Sequence, residues 1–68
     1  MQSCKMSWEA ARVNAGLKQD DVAKAIHVSK STILNWEKYR FYPTILQAYE
    51  LCNLYGVSID VIDAYRQG

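Results

Sequence analysis

The stretch HVSKSTILNWE, residues 27 to 37, collects groups that can exchange hydrogen bonds with another molecule: an ammonium on Lys30, hydroxyls on Ser29, Ser31 and Thr32, and a carboxamide on Asn35. At about 100° per residue in a helix, Ile33 and Trp36, with Thr32 beside them, occupy one side, and Lys30, Ser31, Leu34 and Asn35 cluster on the other. The first side suits a core. The second combines donors and acceptors matched to base edges in a major groove with one apolar group matched to a thymine methyl. Surface helices are polar in any case, so periodicity alone leaves this face open between a reading surface and an ordinary solvated one. Leu34, in the middle of that polar face, argues for a partner there.

Other chemistries are poorly supplied. The single histidine, His27, lies between Cys4 and Cys52, which are 48 positions apart and fit neither a zinc spacing nor a disulfide framework. Both thiols fall at apolar positions of the helical pattern and read as inert core residues. The chain has no carboxylate pair placed for acid–base work, no glycine-rich phosphate loop and too little length to enclose a pocket. The expectation is a protein that is not an enzyme, with no metal, no cofactor and no small-molecule substrate. No basic segment precedes a hydrophobic one, and nothing approaches the ~20 apolar residues that cross a bilayer, so a soluble cytoplasmic protein without a membrane partner is expected.

Those residues must be positioned by a small scaffold. The chain has 68 residues, half of them apolar, enough for one domain spanning residues 1–68. A chain this short buries only about 60% of the surface its unfolded form exposes, so most apolar residues are needed for stability. Residues 1–42 carry seven Lys/Arg against four Asp/Glu, and residues 43–68 carry one against three, so a net +1 hides +3 in front and −2 behind. A basic front half is compatible with a polyanionic partner.

The apolar spacing is helical throughout. Cys4, Trp8, Ala11 and Ala15 predict a first helix, with Ser3 as N-cap and Gly16 as its stop. A second runs from about Gln19 to Ile26, with Leu17 and Val22 as a hydrophobic staple and Lys18 a poor N-cap. A third runs from its N-cap Ser29 to about Glu37, with Val28 and Ile33 as the staple. Thr44 and Gln47 form a capping box for a fourth, whose buried stripe is Ala48, Leu51, Cys52 and Tyr55 and whose end is Gly56. Ser58 is expected to cap a last helical turn or two, with Val57 and Ile62 as a third staple and Asp60 near the positive helix end. Two short helices joined by a tight turn have the geometry of a helix-turn-helix, in which the second helix enters the major groove.

The run from Arg12 to Glu37, RVNAGLKQDDVAKAIHVSKSTILNWE, followed by Pro43 and by L-C-x-x-Y-G-V-S-x-D from Leu51 to Asp60, resembles the XRE-type helix-turn-helix family of phage Cro and repressor proteins. The elements A-G-L-x-Q, V-S-x-S-x-I-x-x-W-E and G-V-S-x-D occur in the right order, and the resemblance covers nearly the whole chain. It implies an all-α, compact five-helix lambda-repressor-like domain whose helices 2 and 3 form the helix-turn-helix. It also implies a sequence-specific transcription regulator that binds double-stranded DNA. On that basis Lys30, Ser31, Asn35 and Leu34 face base edges, and Gln19, Ser29, Thr32, Lys18, Lys38 and Arg40 contact phosphates. Gln19 also opens a helix, where free N–H groups favour an anion. Arg12 and Glu37 match a family pair that clips helix 1 to the end of helix 3, with a secondary phosphate contact for Arg12. A half-buried arginine on an apolar stripe needs such a carboxylate.

The chain departs from the family at two glycine positions. His27 stands at the end of helix 2, where histidine tolerates positive φ, and no residue is placed to join it in a metal site or pH switch. Tyr39 stands after helix 3, where a bulky residue would be strained, so the loop from Arg40 to Pro43 is expected to leave the family path or extend helix 3, which weakens the phosphate roles of Lys38 and Arg40. The same loop concentrates aromatics, and a homodimer is expected to use either this region, with Phe41, Tyr42 and Ile45, or the last helix, with Ile59 and Tyr65. A two-fold dimer would grip palindromic half-sites about 34 Å apart. The competing expectation is a protein-interaction module on the same fold, such as an antirepressor, antitoxin or accessory protein with little DNA binding.

Overall fold

Helices in this protein begin where a nearby polar side chain can bond a free backbone N–H. The computed structural model describes residues 5–65. Its elements are α1 (Trp8–Asn14), α2 (Gln19–Ile26), α3 (Lys30–Glu37) and α4 (Ile45–Tyr55), followed by one 3-10 turn, Ile59–Val61. An isolated parallel bridge pairs Met6 with Ile62, and there is no strand among the described residues. No helix among them is long and apolar enough to cross a membrane.

Helix α1 starts at Trp8 because Ser7 accepts from the Ala10 N–H at 3.1 Å. The expected start after Ser3 is therefore too early. Ser3 and Cys4 lie outside the described residues, but Met6 is already committed elsewhere: its N–H donates to the Val61 carbonyl and its own carbonyl accepts from Asp63, each at 2.8 Å. Those bonds hold the backbone extended ahead of the helix. At the other end Gly16, at φ +75°, stops α1 as expected, and the Leu17 N–H returns to the Arg12 carbonyl at 3.2 Å.

Helix α2 solves its weak N-cap from inside. Lys18 has no acceptor to offer, but the Asp21 carboxylate reaches back to the Lys18 N–H at 3.0 Å, the carboxylate half of a capping box. His27 ends α2 at φ 62°, the left-handed turn expected of it. Ser29 then caps α3 by accepting from the Thr32 N–H at 3.2 Å.

The end of α3 corrects the sequence reading. Tyr39 does adopt positive φ, 59°, and the chain keeps the tight turn: the Tyr39 N–H donates to the Trp36 carbonyl at 3.1 Å and the Arg40 N–H to the Asn35 carbonyl at 3.0 Å. The strain is offset because the Tyr39 hydroxyl donates to the Asp63 carbonyl at 2.7 Å while its ring packs partly against the core. Thr44 and Gln47 close the expected capping box on α4.

The expected fifth helix is a single 3-10 turn, so the described residues form four helices rather than the five expected. Two causes are visible. The Ser58 hydroxyl bonds the Asp60 carboxylate instead of a backbone N–H, and Ile62 is drawn into extended backbone beside Met6. Val57 and Ile62 still enter the core, but as packing residues on either side of a turn.

The core joins Trp8 and Ala11 of α1, Val22 and Ala23 of α2, Ile33 and Trp36 of α3, the α4 stripe Ala48, Leu51, Cys52 and Tyr55, and Ile62 and Ala64 behind them. The Trp8 indole N–H is satisfied by the Ala64 carbonyl at 3.3 Å, so this large ring is buried without an orphaned donor. Burial pushes the Cys52 thiol pKa up, which agrees with a packing role. Leu51 is 1% exposed and Leu46 on the same helix is 71% exposed, which allows a matched test. Leu51→Ala should lower unfolding free energy by roughly 2–5 kcal/mol in urea titrations, and Leu46→Ala should stay within about 0.5 kcal/mol of the parent.

Candidate nucleic-acid interface

The corner between α2 and α3 is held from beneath by one charged pair. The Arg12 guanidinium on α1 meets the Glu37 carboxylate at the end of α3 in a two-point contact, Nε to Oε2 at 2.6 Å and Nη2 to Oε1 at 3.2 Å. Its remaining arm donates to the Leu17 carbonyl at 2.9 Å. The side chains are only 12% and 5% exposed, so both charges are largely, though not wholly, withdrawn from water. Hydrogen bonding to Glu37 raises the Arg12 pKa, outweighing the opposing effect of burial, so the guanidinium stays charged. Each of the three guanidinium nitrogens of Arg12 thus has an acceptor within the protein.

Glu37 has a second partner that the sequence reading did not foresee. The Gln19 carboxamide N–H donates to Glu37 Oε1 at 2.9 Å, tying the first residue of α2 to the last of α3. Gln19 is half-buried there, with one amide hydrogen engaged and the backbone N–H groups of the α2 start beside it. Beneath the pair, burial and the Glu37 charge push the Tyr55 hydroxyl pKa up, so it stays protonated.

With α3 fixed at both ends, Ile33 and Trp36 face inward and the opposite side is presented outward. Lys30, Ser31 and Leu34 are exposed, and Asn35 and Thr32 are half-buried at the margin. The structure therefore gathers Lys30, Ser31, Leu34 and Asn35 on one face. At the α3 start the Ser29 hydroxyl lies 2.9 Å from the Thr32 hydroxyl and 3.3 Å from that of Ser31, a small cluster of donors beside free N–H groups. Lys18, Lys38 and Arg40 are exposed, the first just before α2 and the other two just after α3. Lys30 also pairs with Asp20 at 3.7 Å, another contact absent from the sequence reading, since nothing in the linear order links residue 20 to residue 30.

The residues named for a dimer surface separate. Phe41, Tyr42, Ile45 and Tyr65 are exposed, whereas Ile59 packs partly against the core. The loop after α3 and the C-terminal segment form one continuous patch rather than two alternatives: the Tyr42 and Tyr65 rings are 5.8 Å apart, and the Tyr65 hydroxyl donates to the Pro43 carbonyl at 3.0 Å. Leu46 and Tyr49 extend this patch along α4. Sequence periodicity could have found Leu46, which at about 100° per residue lies nearly opposite the buried stripe of α4.

Removing one member of the pair should expose its importance. Arg12→Met leaves the Glu37 carboxylate buried and uncompensated, and a loss of roughly 3–5 kcal/mol in unfolding free energy is expected from urea titration. The double variant Arg12→Met/Glu37→Leu should recover much of that loss, because no unpaired charge remains.

A sequence profile of the helix-turn-helix family matches residues 9–62. An uncharacterized helix-turn-helix-type transcriptional regulator of Methanocaldococcus jannaschii is 37% identical over 50 residues, which cover 74% of this chain and 76% of the relative. No solved structure matches at a significant level. Spanning both helices of the corner and the charged pair beneath them, these matches establish that the chain belongs to the XRE-type helix-turn-helix family.

Proposed function

We propose that the protein is a DNA-binding transcription regulator of the Cro and repressor type, with α3 lying in the major groove. The observation that carries this reading is the split character of α3: Ile33 and Trp36 are buried, the end is clamped through Glu37, and Lys30, Ser31, Leu34 and Asn35 face outward. A rigid helix with that outer face matches the donor and acceptor pattern of base edges. Lys30, Ser31 and Asn35 are the base-reading residues, with Leu34 against a thymine methyl. Gln19, Ser29 and Thr32 grip phosphates at the starts of α2 and α3, and Lys18, Lys38 and Arg40 add charge from the sides. The family match and the regulator among its relatives support this assignment.

One such module makes few contacts, so the regulator acts as a homodimer on a palindromic operator. The patch formed by Phe41, Tyr42, Ile45 and Tyr65, with Leu46 and Tyr49, supports that step because it is more exposed apolar surface than a small monomer ordinarily carries. The same patch, with a net charge of only +1, favours a second reading in which the fold serves protein contacts with little DNA binding.

Fluorescence anisotropy with labelled random-sequence duplex separates the two. DNA binding predicts dissociation constants on the order of 10⁻⁴ to 10⁻⁶ M near physiological salt, with an affinity that falls steeply as salt rises. Gln19→Ala should weaken it, and Lys30→Ala/Asn35→Ala should weaken binding to duplex selected from a random pool; no binding, or binding indifferent to both variants, contradicts the reading. Sedimentation equilibrium on operator selected from a random pool should show two protomers per duplex, and Ile45→Lys should reduce this to one. A single wild-type protomer per duplex contradicts the dimer.

A further inference from the structure

Lys30 is the one cation on the outward face of α3, and it is already paired. Its ammonium lies 3.7 Å from the Asp20 carboxylate in the first turn of α2, and both side chains are 61% exposed. Asp20 makes no capping bond, because the backbone N–H of Lys18 is taken by Asp21; its local role is limited to the favourable placement of a carboxylate in the first turn of α2. Among the described residues Asp20 has no other ion-pair or hydrogen-bond partner. Position 20 follows Gln19, at the end of α2 where phosphates are expected, and a carboxylate there repels what the helix start and Gln19 attract.

We propose that Asp20 holds the Lys30 ammonium on the reading face and off the phosphate backbone, and so suppresses sequence-independent DNA binding. This rests on the DNA-binding reading above. At 3.7 Å the contact is an ion pair rather than a hydrogen bond, so the three N–H donors of the ammonium stay available to the acceptors of a base edge. Swinging to a phosphate would instead break the pair and leave Asp20 facing the backbone alone. The result is a lysine with less freedom to act as a general counterion. Lys18, Lys38 and Arg40 have no carboxylate partner among the described residues and remain the general counterions.

The test is a salt titration of anisotropy on random duplex with the wild type, Asp20→Asn, Lys30→Ala and the double variant. Asp20→Asn should bind about two- to fivefold more tightly, the range open to an exposed ion pair. Its log–log salt dependence should steepen by about 0.9, one more phosphate neutralised. In the Lys30→Ala background the steeper slope should be lost and the gain should fall to the smaller part that comes from removing the Asp20 repulsion. Thermal melts check that the variants fold, and Asp20→Ser repeats the test should Asn unfold the helix start. Unchanged affinity and slope in Asp20→Asn overturn the inference while wild-type binding leaves the DNA reading standing. A gain that persists in full without Lys30 also overturns it, since Asp20 would then act by repulsion alone. If neither the wild type nor any variant binds duplex, the DNA reading falls and this inference falls with it.

Discussion

The constraint on which the rest of this fold depends is the buried contact between Arg12 and Glu37. It joins the first helix to the far end of the third, 25 residues later in the chain, and it does so where both side chains are mostly withdrawn from water. Buried ion pairs are poor sources of net stability, because desolvation consumes most of the Coulomb gain. What this one supplies is a single allowed geometry. Arg12 also holds the Leu17 carbonyl and Glu37 also holds Gln19, so the α1–α2 turn, the start of α2 and the end of α3 share one charged centre. The angle of α3 against α2, and with it the direction of the outer face, is set there.

A second set of bonds braces the opposite side of the molecule. The segment from Val61 to Tyr65 exchanges backbone bonds with Met6, receives the Trp8 indole and the Tyr39 hydroxyl, and sends the Tyr65 hydroxyl to Pro43. It makes little regular structure of its own, yet it touches the approach to α1 and the loop after α3. Tyr39 is where this matters most. A residue at positive φ persists only where its surroundings over-determine it, and here the surroundings are a carbonyl and part of the core.

The division between what was legible in the sequence and what was not follows the range of the interactions. Caps within three residues, such as Ser29 on Thr32 and Thr44 with Gln47, leave a local signature, and so do the 3.6-residue stripes of α2, α3 and α4. The Arg12 and Glu37 pair was legible only through the family resemblance, since no periodicity links two positions on different helices. The errors came from long-range competition. Met6 pairs with the C-terminal segment, which removes it from α1 and pulls Ile62 out of a fifth helix, and Asp63 supplies the carbonyl that lets Tyr39 hold its turn. The Lys30 and Asp20 contact and the Gln19 and Glu37 bond were invisible for the same reason: both need the crossing of α2 over α3 before they exist.

The central claim is that the outer face of α3, and not the apolar patch after it, is the surface that meets DNA. Backbone amide chemical shifts followed by nuclear magnetic resonance during titration with duplex DNA test this residue by residue. The account predicts that the largest changes fall on Gln19, on Ser29 through Asn35 and on Lys38 through Arg40, and that Ile45 through Tyr49 shift little at the monomer concentrations used. Changes confined to Phe41 through Tyr49, or no change on α3 at saturating DNA, would contradict it.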